Sequence, residues 1–254
     1  MIPINQLGTL VGPQQFTGPT ALLWCPTYRE LQNTPAHGQI LLSESSRTST
    51  TVFMKMLVER IRVETSANGA GDSELQWRRL VFTIKGPVVP YTVLPVSHFT
   101  NVTIPLGDSA IQQYNRICNP LTLAEQGSLF QILFRGVGSG VGGSDWYDPL
   151  TAFKDSENVK FLFDRVINIR SGNANGVIKQ VRYVHRFGKN LKYNDIEVGV
   201  TEGFQQAAAS QPGFSTQGKP GMGDVYVLDL FRPIGASSVT FTFLPEAQMY
   251  WHER

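Results

Sequence analysis

The chain has 254 residues, 41% hydrophobic and 17% charged, with 22 Lys and Arg against 20 Asp and Glu. That balance excludes extensive disorder, and no apolar run is long enough for a membrane-spanning helix, so no membrane partner is expected. The cysteines, Cys25 and Cys118, have neither the number nor the spacing of a zinc site or a disulfide framework and read as buried thiols. Met1 to Gln6 lack the charged start and apolar centre of a signal peptide, which fits a cytosolic, nuclear or particle-borne protein.

Residues 1–50, interrupted by Pro13, Pro19, Pro26 and Pro35, predict an extended N-terminal arm and loops. Thr51 to Thr65 predicts a strand whose alternation changes phase. Val52, Met54, Met56 and Val58 occupy one face until Arg60 and Arg62 replace them, while Phe53, Leu57, Ile61 and Val63 share the other. Both faces are therefore expected to be covered early, with one opening to polar surroundings later. Leu75 to Lys85 predicts the next strand, stopped by Pro87.

Asp108 to Ile117, with Ala110, Ile111, Tyr114 and Ile117 at helical spacing, predicts a short crossover helix. Ser128 to Arg135 predicts a strand closed by the glycine-rich run Gly136 to Gly143, which lacks the Gly-Lys-Ser/Thr ending of a phosphate loop. Further strands are expected over Val159 to Ile169, Val177 to Arg186, Asp224 to Phe231 and Val239 to Leu244, the last resuming at Met249 after a break at Pro245. This pattern predicts an all-β fold: a single eight-stranded jelly-roll β-sandwich over 51–254 with long loops, one domain overall.

Charge is concentrated in one place. From Val159 to Lys192 there are eight Lys and Arg residues and one acidic residue, leaving 14 basic and 19 acidic residues elsewhere. A basic, hairpin-like region on strands suggests a polyanion or an acidic partner, or else a solvated sheet face that discourages edge pairing.

Nothing in the pattern calls for catalysis, a cofactor or a metal. His37, His98, His185 and His252 have no metal-ligand spacing, and no Gly-x-Ser-x-Gly elbow occurs. Asp145 and Asp148 flank Trp146 and Tyr147, an arrangement open to a saccharide platform or paired glycosidase carboxylates, and equally to a loop whose aspartates cap turns. No enzyme is expected.

Several segments carry a family likeness: Phe161 to Arg165, Ser171 to Gly176, Gly188 to Asp195, Gly221 to Pro233, and Tyr250 to Glu253. In these the chain resembles the capsid proteins of genomoviruses and is more distantly similar to geminivirus coat proteins. The likeness is distinctive only from Phe161 onward; the N-terminal half fits by strand order. It implies a jelly roll that self-assembles into a small T=1 icosahedral shell of about 60 copies around circular single-stranded DNA, found in the virion and the host nucleus. Such proteins begin with an Arg/Lys-rich arm, whereas the first basic residue here is Arg29. The expectation is a basic leader upstream of this sequence, through which host nuclear import machinery would act. The alternative is DNA contact by the shell surface alone.

Packaged single strands need cations against phosphate and flat rings for bases. Arg60, Arg62, Trp77, Arg78, Arg79, Lys179, Arg182, Tyr183 and Arg186 are the residues expected to face nucleic acid. Trp77 has core or subunit contact as its other reading, and Arg78 and Arg79 point opposite ways along a strand. Arg165, Lys189, Lys192 and Asp195 are expected at subunit contacts, with Arg165 opposite a carboxylate such as Asp164 of a neighbouring copy. A jelly-roll binding module for single-stranded nucleic acid or saccharide is the alternative to a shell protein.

Overall fold

The computed structural model describes residues 14–29, 47–66, 74–85, 99–106, 109–116, 118–138, 145–157, 159–172, 176–193, 213–216, 218, 220–234 and 239–253. It is an all-β sandwich built from two antiparallel sheets. The strands are β1 (Gln14–Thr17), β2 (Thr20–Trp24), β3 (Thr51–Thr65), β4 (Glu74–Ile84), β5 (Phe99–Leu106), β6 (Ser109–Arg116), β7 (Asn119–Pro120), β8 (Lys160–Arg170), β9 (Ile178–Lys192), β10 (Asp224–Ile234) and β11 (Thr240–Glu253), with helix α1 (Leu123–Leu133) after β7. One sheet runs β1-β11-β3-β9 and the other β7-β2-β10-β4-β8; β5 and β6 form a separate pair.

Part of the expected arm is built into both sheets. β1 pairs with β11 and β2 with β10, and Trp24 is buried in the core. The prolines limit these strands to short lengths but leave room for them between Pro13 and Pro26.

The two sheets differ in how they are covered. Along β10, Val225, Val227 and Phe231 face the other sheet, while Tyr226, Leu228 and Leu230 face an outer layer containing Leu129, Phe130 and Leu133 of α1. Burial on both faces explains why Asp224 to Phe231 is an almost unbroken apolar run, as a doubly covered strand requires. The β11-β3-β9 sheet is covered on its inner face only, and its outward side chains alternate into solvent.

The phase change in β3 is a β-bulge. Val52 and Met54, then Leu57, Ile61 and Val63, all reach the same core, because the pairing register shifts between Met54 and Met56. One extra residue, Lys55, flips the alternation. The expectation that both faces of β3 are covered early is corrected accordingly. At the other end of the neighbouring strand, β11 runs straight through Pro245. There Pro245 lies opposite Ile61 of β3.

Two elements are exchanged relative to expectation. Residues 109–116 form strand β6 rather than a helix, with Ser109 paired to Leu106 of β5. Residues 128–133, expected as strand, belong to α1. Thr122 caps that helix in a reciprocal box, accepting from the Glu125 amide while the Glu125 carboxylate accepts from the Thr122 amide at 2.7 Å. Leu129, Phe130 and Leu133 then fall on one helical face. The hairpin-like reading of the basic region is also corrected: β8 pairs with β4 and β9 with β3, so consecutive strands lie in different sheets, each at an edge.

Gly223 makes the approach to β10 possible. Its φ is +83°, and a Cβ there would stand 2.7 Å from the Ile84 carbonyl oxygen. Gly223→Ala is expected to lower the unfolding free energy by about 2 kcal/mol or more, measured by urea denaturation.

Candidate nucleic-acid interface

The residues expected at nucleic acid divide into two populations. Trp77, Arg78, Arg79 and Tyr183 are buried, with Trp77 and Arg79 at 0% exposure. They are corrected as nucleic-acid contacts, since they are buried inside the protein, where the Trp77 N–H, both Arg79 Nη groups and the Arg78 guanidinium already have partners.

Arg79 lies between the sheets. Its Nη1 donates to both carboxylate oxygens of Asp229 on β10 at 2.8 Å, and its Nη2 pairs with Glu59 of β3. Trp77 Nε1 donates to Asp229 Oδ1 at 2.7 Å, and His185 Nε2 on β9 is 3.1 Å from Glu59 Oε2. The guanidinium is also 5.7 Å from the centre of the Tyr183 ring. Two carboxylates thus face one guanidinium, and a second positive charge is present only when His185 is protonated. Burial pushes Asp229 up to about 6, against the pull of Arg79 and the Trp77 N–H.

Arg78 points the other way and binds a different group. Its Nε and Nη2 form a fork on Asp164 at 3.0 Å, and Nη1 donates to the carbonyls of Pro149 and Ala152 at 2.7 and 2.9 Å. Lys154 joins at 3.2 Å. Although burial raises its pKa, Asp164 is held below the usual carboxylate range by Arg78 and Lys154. Asp164 therefore has partners within its own chain. Arg165 itself is exposed on β8.

The other population is on the open face of the β11-β3-β9 sheet. Arg60 and Arg182 are direct cross-strand partners, with Glu246 completing their row. Arg62, which pairs with Glu64, aligns with Gln180 and Leu244; Arg186 aligns with Met56 and Tyr250. All four arginines are exposed. Phe53 and His252 stack across the same face with ring centres 6.3 Å apart, and Phe53 and Tyr250 are 40% and 41% exposed. Four arginines, two carboxylates and exposed rings on one sheet face are suited to phosphate and base contact without sequence preference.

Lys179 and Lys192 are exposed but stand apart from these rows. Lys179 belongs to the inward-facing row at the start of β9, and Lys192 pairs with Thr51 at its end. Lys189 sits beside β8, near Lys160, and Asp195 lies outside the described residues. Sequence reasoning missed Glu59, Asp229, His185 and Lys160. Glu59 had a readable signal, being a carboxylate on the apolar parity of β3 between Leu57 and Ile61, and so did Asp229 within the run Val225 to Phe231.

Asp145 and Asp148 cap turns. Asp145 accepts from the Val137 amide at 2.7 Å, and Asp148 accepts from the Leu150 amide at 2.9 Å and pairs with Arg232. Trp146 packs edge-on to Phe130 and Phe134, whereas Tyr147 is exposed. Among the described residues no group of three or more His, Cys, Asp or Glu could hold a metal ion. No protein-family model matches the chain, and no curated protein matches it. The likeness to genomovirus capsid proteins therefore rests on the sequence segments alone.

Two outcomes follow from the buried charges. Arg79→Ala is expected to cost about 3–5 kcal/mol by leaving two buried carboxylates uncompensated, whereas Arg182→Ala should stay within about 0.5 kcal/mol in the same denaturation measurement.

Asp224 is also buried. It accepts from the Ser215 amide at 2.8 Å, the Ser215 hydroxyl at 2.7 Å and the Thr27 hydroxyl at 3.3 Å, yet burial raises it to about 7. An unfolded carboxyl ionises near ~4, so above that pH the folded chain retains protons that the unfolded chain has released. The stability contributed by Asp224 and Asp229 is complete below about pH 4 and is lost as pH rises through their folded values. Unfolding free energy is expected to fall by roughly 3 kcal/mol between about pH 5.5 and 8, and Asp224→Asn should remove most of that slope. Denaturation curves across this range check it.

Proposed function

We propose that this chain is the structural protein of a small icosahedral shell, a jelly roll of about 60 copies that encloses single-stranded DNA. The observation that carries the nucleic-acid part is the Arg60–Arg182 pair. Like charges directly opposite each other weaken a sheet unless something compensates them; Glu246, on the other side of Arg60, offsets one of the two, and a bound polyanion would offset the rest. Arg62, Arg186, Phe53 and Tyr250 surround that pair on the same open face, adding cations and rings. The shell part is supported by the family likeness and by a sandwich that leaves one broad sheet face for cargo and the opposite, loop-bearing side for neighbours.

The same face would serve a monomeric single-strand binder, and mass separates the two. Analytical ultracentrifugation of the purified protein, with absorbance read at 260 and 280 nm, is expected to find megadalton particles with excess 260 nm absorbance. A monomer or dimer stable across salt and pH would overturn the shell reading. In Arg60→Ala/Arg182→Ala/Arg186→Ala, nucleic-acid content is expected to fall while the unfolding midpoint holds. The salt dependence of strand binding should weaken by up to about three phosphate contacts. Normal nucleic-acid content in that variant would remove the assignment of this face.

A further inference from the structure

The seam where β8 and β9 face each other is not uniform. Midway along it Phe163 closes the gap, its ring centre 4.8 Å from Tyr183 and 5.5 Å from His185. Toward Lys160 the seam opens into a cleft of about 640 Å³, within the range of small-ligand sites. Three of its lining side chains are cations, Lys160, Arg186 and Lys189, and none is a carboxylate. Phe187, Leu162 and Met222 supply apolar wall.

Arg186 and Lys189 both line the cleft. Three positions apart on a regular strand, they would project from opposite faces. Gly188, at φ +60°, lies between them where the register of β9 against β3 shifts, with Arg186 opposite Met56 and Lys189 opposite Met54, and both line the cleft at this sheet edge. Gly221 lets the preceding loop come close on the other side: a Cβ there would be 2.9 Å from the Lys192 amide nitrogen, and Met222 N–H donates to the Asn190 carbonyl at 2.8 Å.

We propose that this cleft binds a nucleotide, its phosphate held by Lys160, Arg186 and Lys189 and its base laid against Phe187 and Met222. The charge arrangement asks for an anion. Among the described residues no carboxylate lies within ion-pair distance of these three cations. Lys160 and Lys189 are near enough that their mutual contact, and the repulsion of the second charge, lower the Lys160 pKa. A phosphate ester between them turns that repulsion into charge-assisted hydrogen bonds. The apolar wall accounts for the remaining space, because a flat base gains from stacking where a bare phosphate would leave the wall wet. The site stands whether or not the chain builds a shell.

Calorimetric titration at low salt tests this with dTMP, thymidine and inorganic phosphate. Binding of dTMP is expected to be at least about tenfold tighter than that of either fragment, and to weaken by about tenfold or more in Lys160→Met/Lys189→Met. Both lysines are exposed, so the variant should keep its unfolding midpoint. The comparison of the three ligands on the unaltered protein stands without any variant. No detectable dTMP binding at millimolar concentration would overturn the proposal, as would equal binding by inorganic phosphate or unchanged affinity in the double variant. Displacement of dTMP by oligothymidylate assigns the cleft to a unit of a strand, and failure to displace it assigns the cleft to a free nucleotide.

Discussion

A guanidinium buried between two sheets constrains this fold more than any apolar contact does. Arg79 projects from β4 toward β3, into a layer otherwise made of Leu57, Ile61, Val81 and Val227. A charge there is tolerable only with close partners, and it has one from each sheet, Asp229 and Glu59. Those partners bring others: Asp229 takes the Trp77 N–H, and Glu59 takes His185. Apolar packing would accept the sheets at many offsets. The Arg79 fork meets both carboxylates at only one, so the network fixes the stagger of the β11-β3-β9 sheet over the other.

That stagger has consequences at the sheet edges. β8 and β9 follow one another in sequence but pair with different sheets, and the fixed offset brings Phe163 against Tyr183 and His185. The seam is thereby closed at the level of the network and open beside Lys160 and Lys189. The basic density between Val159 and Lys192 is thus not one stripe. It divides into Arg182 and Arg186 on the open face, Lys160 and Lys189 at the cleft, Arg170, which pairs with Glu74, and Arg165, Lys179 and Lys192 elsewhere along β8 and β9.

How far the sequence could be read depended on how locally each feature is determined. The long strands were legible because alternation needs only the strand itself, and β3 was read to its observed limits, Thr51 and Thr65. The exchange of helix and strand shows where periodicity fails. Ala110, Ile111 and Tyr114 fit helical spacing, yet a Gly107-Asp108 pair precedes a segment that pairs with β5, and hairpin chemistry prevails. Leu129, Phe130 and Leu133 fit a strand or a helix; the Thr122-to-Glu125 capping box was the local signal that decides between them. At the candidate site Arg60, Arg62, Arg182 and Arg186 were legible because exposed parity follows from alternation. Trp77, Arg78, Arg79 and Tyr183 were not, because a basic residue on a strand looks the same whether it meets solvent or a carboxylate on a strand far away in sequence.

Placing charge in the core and charge on the face are linked choices. The β7-β2-β10-β4-β8 sheet is covered on both sides, by its partner sheet and by the α1 layer, so any cation on its central strands must find a carboxylate inside the protein. Arg78 and Arg79 do, and in doing so they occupy Asp164, Asp229 and Glu59. Acidic side chains used there are withheld from the outer face of the β11-β3-β9 sheet, where among the described residues only Glu64 and Glu246 stand with Arg60, Arg62, Arg182 and Arg186. Internal neutrality therefore leaves the single-covered sheet positive. A polyanion suits such a basic face, because it releases its own counterions as it binds.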